Sequence, residues 1–115
     1  MAYTRLNPDA DSGAGSINVA GLRNTSNYSW ARYGKVVTVN VAVYLTDAMS
    51  AWSSKTLITG MPNAEKGASV LLPLDNNTTQ AKLVATTGGE IQLASRGASL
   101  SNNAVLNGSI TYICT

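Results

Sequence analysis

The chain has 115 residues, enough for one domain with a single hydrophobic core. Only 12% of its residues are charged, eight basic against six acidic, so its charge is too sparse to favour nucleic acid as a partner. It has no histidine and one cysteine, which excludes an internal disulfide and removes the commonest general base and metal ligand. No apolar run approaches the roughly 20 residues that span a bilayer. We therefore expect no membrane insertion, no metal site and no cofactor.

The N-terminal stretch, residues 1–16, has no hydrophobic period and combines Pro8 with two glycines and small polar residues. This composition predicts an arm or linker that is ordered only where it packs against another part of the structure. Residues 17–22 are predicted as a first short strand. The predicted β-sandwich domain runs over residues 17–115.

A hairpin across residues 26–46 is the clearest predicted element. In its longer arm, aliphatic residues alternate with mostly polar ones; the aliphatic set is Val37, Val39, Val41, Val43 and Leu45. A period of two predicts a strand with one face in the core. Gly34 and Lys35 are placed to turn the chain between the two arms.

Five further segments are predicted as strands, separated by turns rich in glycine, asparagine and serine. They are residues 55–61, 68–74, 79–86, 90–96 and 106–115. No segment has a helical period, and turns recur about every ten residues. This pattern predicts an all-β fold, an antiparallel β-sandwich of jelly-roll type with seven or eight short strands.

The loop between the third and fourth of these strands determines which residues face the core. A two-residue loop would set core residues opposite solvent-facing ones. A three-residue loop over residues 87–89 instead pairs Leu83 with Leu93 and Ala85 with Ile91, which keeps one apolar face. We therefore predict this register, with a glycine of the loop in the left-handed conformation.

The candidate reactive groups are few. All six carboxylates fall in the arm, loops or turns: Asp9, Asp11, Asp47, Glu65, Asp75 and Glu90. Their spacing singles out no acid–base pair, so we expect no enzyme and no catalytic residue; two of them converging as a glycosidase pair is the enzymatic alternative. Cys114 lies on the same face of the last strand as its apolar residues. We therefore predict that it is buried and packs as a small hydrophobic side chain.

A neutral surface rich in asparagine, serine and threonine suits the recognition of extracellular polar ligands such as sugars. Trp52 lies in a loop of small polar residues and is the predicted platform on which a sugar ring stacks. Trp30 and Tyr44 are assigned instead to the core or to a subunit interface. Four polar residues at turns or sheet edges are the candidate partners of the ligand: Asp75, Asn77, Lys82 and Arg96.

Three stretches, taken in order, resemble a known family: SWARYGKVVTVNVAVYLT, WSSKTLITGMP and NGSITYICT. The Gly-Lys turn, the stretch over residues 57–62 and the final Tyr112-Ile113 are similar to the receptor-binding or tip domains of tail fibres and baseplate proteins from tailed phages and prophages. The resemblance covers residues 26–115. It implies a homotrimeric β-sandwich in the virion tail that contacts other tail or baseplate proteins and displays loops to a bacterial surface saccharide or protein.

Apolar residues outside the predicted core also favour an oligomer, because a subunit interface would bury them. They are Val36, Ala42, Tyr44, Val84 and Ala94. The alternative is that they are scattered surface residues, which are common on monomers. The alternative function is a structural virion component, a spike, plug or decoration protein with no host ligand.

Overall fold

A computed structural model describes residues 11–73, 80–97 and 99–115 of the chain. These residues form eight strands and no helix, so none of them belongs to a helix that could cross a membrane. The strands are β1 (Asp11–Ser16), β2 (Asn27–Tyr33), β3 (Val36–Tyr44), β4 (Ser54–Ile58), β5 (Ala68–Pro73), β6 (Gln80–Ala85), β7 (Ile91–Ser95) and β8 (Val105–Ile113).

The strands pair into two antiparallel sheets of four strands each. Sheet 1 has the order β1-β2-β3-β8, and sheet 2 has the order β4-β7-β6-β5. From β3 onward the pairs are nested, since β5 pairs with β6, β4 with β7 and β3 with β8. A long hairpin folded over on itself produces this nesting, as in a jelly roll. The predicted antiparallel β-sandwich is confirmed.

The predicted hairpin is present as β2 and β3, joined at Gly34 and Lys35. Gly34 has a φ of 62°, a conformation that glycine adopts without steric cost. The five aliphatic residues predicted to face the core are all 5% exposed or less. Burial of a side chain of this kind stabilises the fold by roughly 1.5–3 kcal/mol.

The predicted register between β6 and β7 is also confirmed. Leu83 lies opposite Leu93 and Ala85 opposite Ile91, and all four are buried. Gly89 takes the left-handed conformation, with a φ of 79°. The apolar parity of the two strands therefore fixed the loop length, as a one-residue slip would turn a core face to solvent.

The structure differs from the sequence-based boundaries at the N-terminal side. The last six residues of the predicted arm form β1, which pairs with β2 at the edge of sheet 1. No apolar period marks this strand, because Gly13 and Gly15 face the aromatic rings of Trp30 and Tyr28, which cover the space that side chains would fill. Residues 17–22 belong to a connection, and only Leu22 forms an isolated bridge, with Leu45.

The core lies between the two sheets, and β8 approaches β5 closely at Gly108. A Cβ atom at Gly108 would overlap the buried side chain of Leu72, so this approach requires glycine. Cys114 is buried as a free thiol, as predicted from its parity. Val70 shares the parity of the buried Leu72 but stays 36% exposed, because β5 is an edge strand.

Candidate functional site

The strand ladders place the connections at two opposite ends of the sandwich. Three described connections lie at one end, called here the Trp52 end: residues 17–26, 45–53 and 96–104. The other end, called the turn end, holds the connections over residues 34–35, 59–67 and 86–90, together with Asp11 and Thr115. The chain therefore enters and leaves the described sandwich at the end opposite Trp52.

Trp52 is the most exposed large apolar side chain among the described residues, at 76%. It is also the single non-glycine residue in the described part of the chain with a positive φ, 59°. Its indole lies over Gly97, where an added Cβ would stand 3.5 Å from Cζ2 of the ring. One part of the ring thus rests on backbone while the remainder is open, which is the geometry of a stacking platform.

Hydroxyl groups hold the turn that carries Trp52. Ser95, only 3% exposed, donates from Oγ to the Ser50 carbonyl oxygen at 2.5 Å and accepts the Ser53 N–H at 2.9 Å. Ser53 Oγ also donates to the Ser50 carbonyl, at 2.6 Å. The Trp52 N–H donates to the Arg96 carbonyl at 3.0 Å. The turn is therefore attached to the end of β7 on both sides of Trp52.

A lysine fixes the neighbouring connection at the same end. Lys55 Nζ donates to the Ala20 carbonyl at 2.7 Å, and it would lie 3.2 Å from a Cβ added at Gly21. The N–H groups of Thr46 and Asp47 both donate to the Gly21 carbonyl, at 2.8 and 3.3 Å. The connection over residues 17–26 is thereby joined to β4 and to the connection that leads to Trp52.

The structure brings two of the five predicted ligand-binding residues together. Trp52 and Arg96 are adjacent through the backbone hydrogen bond described above, and Arg96 is exposed. Lys82 lies on the outer face of sheet 2, opposite Ala94, which in turn lies opposite Ser54. Two strand spacings, about 10 Å, therefore separate Lys82 from the strand that follows Trp52.

The other two predicted residues, Asp75 and Asn77, lie outside the described residues. They belong to the connection between β5 and β6. Its flanking residues Pro73 and Gln80 lie opposite one another at the Trp52 end. Their part in a ligand site stays a prediction.

Three residues that build the platform were not predicted from the sequence: Ser53, Ser95 and Gly97. A signal for Ser95 was available, since it continues the core parity of Ile91 and Leu93. A hydroxyl on a core parity has to find hydrogen-bond partners inside the fold, and here those partners belong to the Trp52 turn. Nothing in the sequence pairs Gly97 with an aromatic ring 45 residues earlier.

The turn end carries a different kind of surface. Tyr33, Val36 and Ile113 lie side by side on the outer face of sheet 1, and they are 66%, 44% and 48% exposed. A groove of about 460 Å³ adjoins Ile113. Its lining residues are Glu65, Lys66, Ala68, Thr111, Tyr112 and Ile113. This end therefore presents an apolar patch of the kind that often contacts other proteins.

The apolar residues that favoured an oligomer differ in exposure. Val36 is exposed, whereas Ala42, Tyr44 and Val84 are half-buried. Ala94 is 9% exposed and counts with the buried residues of the domain. Of this set, Val36 is the member that adds most to an open apolar surface.

Tyr112 is the one described residue with a clearly displaced pKa. Its hydroxyl donates to the Pro62 carbonyl at 2.8 Å. Burial raises the pKa of Tyr112 from 10.0 to about 12, and the neighbouring Cys114 adds to the shift. The buried hydroxyl therefore stays protonated and keeps its hydrogen bond over the physiological pH range.

The described carboxylates lie at both ends of the sandwich. Asp47 lies at the Trp52 end, and the other three, Asp11, Glu65 and Glu90, lie at the turn end. Glu90 accepts a hydrogen bond from Gln92 Nε2 at 3.0 Å. Within the described ranges, no three histidine, cysteine, aspartate or glutamate side chains group as a metal site.

Comparison with known proteins gives a match at the level of fold. No protein-family model and no curated protein sequence matches the chain. Among solved structures, the chain is similar to the receptor-binding head domain of the lactococcal phage bIL170, with a TM-score of 0.66 and 12% sequence identity. The match covers 91% of this chain and all of the phage chain. The two proteins therefore share a fold across the whole β-sandwich.

Proposed function

We propose that this chain is a receptor-binding domain at the tip of a tail fibre or baseplate of a tailed phage or prophage. In this proposal it recognises the host surface without enzymatic activity and is part of the virion tail. The shared fold with a phage receptor-binding head domain supports the assignment. The surface chemistry supports it independently, because the chain is poor in charge and exposes the indole of Trp52 in a connection between strands.

The position of Trp52 is the observation that carries the proposal. A receptor-binding module has to be attached at one end and expose its contact residues at the other. Asp11 and Thr115 both lie at the turn end, so attachment through either of them leaves Trp52 free to reach a cell surface. The apolar patch of Tyr33, Val36 and Ile113 is then on the side of the virion.

The proposed ligand is a bacterial surface saccharide. An exposed indole stacks on the apolar face of a sugar ring, and neighbouring amide, hydroxyl and charged groups bind its hydroxyls. Arg96 is the described polar residue next to Trp52. In the proposal Lys82 extends the contact along the outer face of sheet 2, and Asp75 and Asn77 are further partners of the ligand.

We further propose that the domain acts as a homotrimer, as phage tips commonly present several copies of one site. Three weak sites on one assembly bind a repeating saccharide far more tightly than one site does. Light scattering tests this directly. A solution mass near three times the chain mass of 12.0 kDa supports the trimer, and a mass near 12.0 kDa contradicts it.

Glycan-array binding of the purified domain tests the function. The key variant is Trp52→Ala, and the matched control is Tyr33→Ala, which removes a similarly exposed aromatic ring from the opposite end. The proposal predicts saccharide binding by the wild type and by Tyr33→Ala, and at least a tenfold loss for Trp52→Ala, about 1.4 kcal/mol. Binding that survives Trp52→Ala would contradict it.

The second candidate is a structural virion component with no host ligand. The turn-end patch favours this candidate, since three adjacent apolar residues beside a groove suit packing against another virion protein. The same array separates the two functions. A structural component binds no bacterial saccharide, and its assembly with virion proteins is lost in Tyr33→Ala and kept in Trp52→Ala.

A further inference from the structure

We infer that the buried hydroxyl of Ser95 is a positioning group that holds the Trp52 backbone left-handed and so presets the aromatic platform. The observations are the φ of 59° at Trp52, the 3% exposure of Ser95 and the hydrogen bonds of Ser95 to Ser50 and Ser53, which flank Trp52. The inference concerns the backbone at position 52, so it stands independently of which ligand the platform binds.

The left-handed conformation at Trp52 is unfavourable for a residue with a β-carbon and a bulky ring. Such strain persists only where surrounding contacts impose it. Trp52 itself gains little from burial, because most of its side chain is in solvent. Its own N–H donates to the Arg96 carbonyl, and the remaining contacts that impose the conformation come from the residues on either side of it.

Those flanking residues meet on Ser95. Its Oγ accepts the N–H of Ser53 and donates to the carbonyl of Ser50, so one atom fixes the residues before and after Trp52 in the turn. The Ser95 N–H donates to the Ser53 carbonyl at 2.8 Å. Without this buried hydroxyl the Ser53 N–H would lose its partner and the Ser50 carbonyl would keep only the Ser53 hydroxyl, so a different turn conformation becomes favourable. Only a hydroxyl at position 95 both donates and accepts in this way.

The consequence for the platform is preorganisation. Because the turn is fixed, the indole is held over Gly97 before any ligand binds. The free energy of binding therefore does not include the entropic cost of ordering this loop. Ser95 is buried beneath the turn and touches no ligand. Ser95 acts through Trp52. Its effect on saccharide binding rests on the proposed function.

A double-substitution series tests the inference without any ligand. Glycine tolerates a positive φ and alanine does not, whereas alanine is otherwise the more stabilising of the two because it restricts the unfolded chain. The inference therefore predicts that Trp52→Gly melts at a higher temperature than Trp52→Ala. In the Ser95→Ala background, where the turn is released, the order reverses.

The matched control is Ser26→Ala. Ser26 is the other buried serine of the described core, and its Oγ accepts the Tyr44 N–H at 3.1 Å. This substitution lowers the melting temperature for the ordinary reason that a buried hydrogen bond is lost. It leaves Trp52→Gly above Trp52→Ala, because it does not touch the Trp52 turn.

Two results would overturn the inference. If Trp52→Ala melts above Trp52→Gly in the wild-type background, position 52 is not held left-handed. If the glycine preference is the same with and without the Ser95 hydroxyl, another contact holds the turn. If the glycan array identifies a saccharide, Ser95→Ala should weaken binding of that saccharide about tenfold, although Ser95 is buried. If the array identifies no saccharide, the order of the melting temperatures decides the inference.

Discussion

The two ends of the sandwich are both closed by irregular connections that backbone hydrogen bonds join, but the two ends differ in the side chains that add to these bonds. At the turn end the Met61 N–H donates to the Gly89 carbonyl at 3.0 Å, and the buried Tyr112 hydroxyl donates to the Pro62 carbonyl. At the Trp52 end, where the Trp52 N–H donates to the Arg96 carbonyl, the hydroxyls of Ser53 and Ser95 and the Lys55 ammonium group add further hydrogen bonds.

This difference indicates what each end is suited for. At the turn end, Gly89 lies directly against the Met61 carbonyl oxygen and the Tyr112 hydroxyl is buried, so substitutions there act on the stability of the whole domain. At the Trp52 end, the added hydrogen bonds come from single serine and lysine side chains, so one substitution removes them and leaves the backbone hydrogen bonds in place. The second arrangement suits a recognition surface, because its loops can change while the fold stays intact.

The largest effect is expected for Gly89→Ala at the turn end. Gly89 has a φ of 79°, and an added Cβ would collide with the Met61 carbonyl oxygen, which is backbone and cannot rotate away. We expect a loss of about 3 kcal/mol in the free energy of unfolding, measured by urea denaturation.

Gly88→Ala is the control for that substitution. Its Cβ would lie 3.8 Å from the nearest heavy atom, the Thr86 hydroxyl, so it should change the free energy of unfolding by less than about 0.5 kcal/mol. Equal losses for the two glycines would show that the turn end is not held by close backbone packing.

A smaller effect at the same end is expected for Tyr112→Phe. The lost hydrogen bond to the Pro62 carbonyl should cost about 1 kcal/mol at neutral pH. Because the folded pKa of about 12 lies above the ordinary value of 10.0, the protonated hydroxyl stabilises the fold fully below pH 10. That contribution is lost as the pH rises from 10 to 12, and Tyr112→Phe should remove this part of the pH dependence.

At the Trp52 end, Lys55→Met should cost about 0.5–1 kcal/mol, since it removes a partly exposed hydrogen bond to the Ala20 carbonyl. Hydrogen exchange should rise in residues 17–26 and stay unchanged in residues 86–90 at the other end. Lys35→Met, at an exposed position in the hairpin turn, is the control. Faster exchange at both ends would mean that the two ends are not independent.

The smallest effect on stability is expected for Trp52→Ala, less than about 0.5 kcal/mol, because the ring is mostly in solvent. The same substitution is expected to have the largest effect on saccharide binding. Unfolding and binding measured on one preparation check this contrast. A loss of binding that comes with a large loss of stability would assign Trp52 a structural role.

The sequence predicted the hairpin and the β6–β7 register because both depend on side-chain parity, which is local. The buried Val37 to Leu45 set and the Leu83–Leu93 pair each follow from a period of two. Strand β1 was not predicted as a strand, because its pairing depends on Trp30 and Tyr28 rings that lie on a different segment.

The candidate site was predicted only in part for the same reason. An exposed tryptophan in a polar loop is visible in the sequence, and so is Arg96 after a strand. The left-handed backbone at Trp52 is not visible, because it depends on a hydroxyl at Ser95, more than 40 residues later. In a sequence, the only sign of such a long-range hydrogen bond is a polar residue at a position whose parity predicts burial in the core.

Capture of bacterial cells by the domain, immobilised in two orientations, tests the central claim most directly. In one preparation a biotin follows Thr115 at the turn end, and in the other it is attached at Asn102→Cys in a connection at the Trp52 end. The account predicts that cells bound by the free domain are captured only when the turn end is attached and Trp52 faces outward. Capture by the domain held through Asn102→Cys, with none through Thr115, would contradict it.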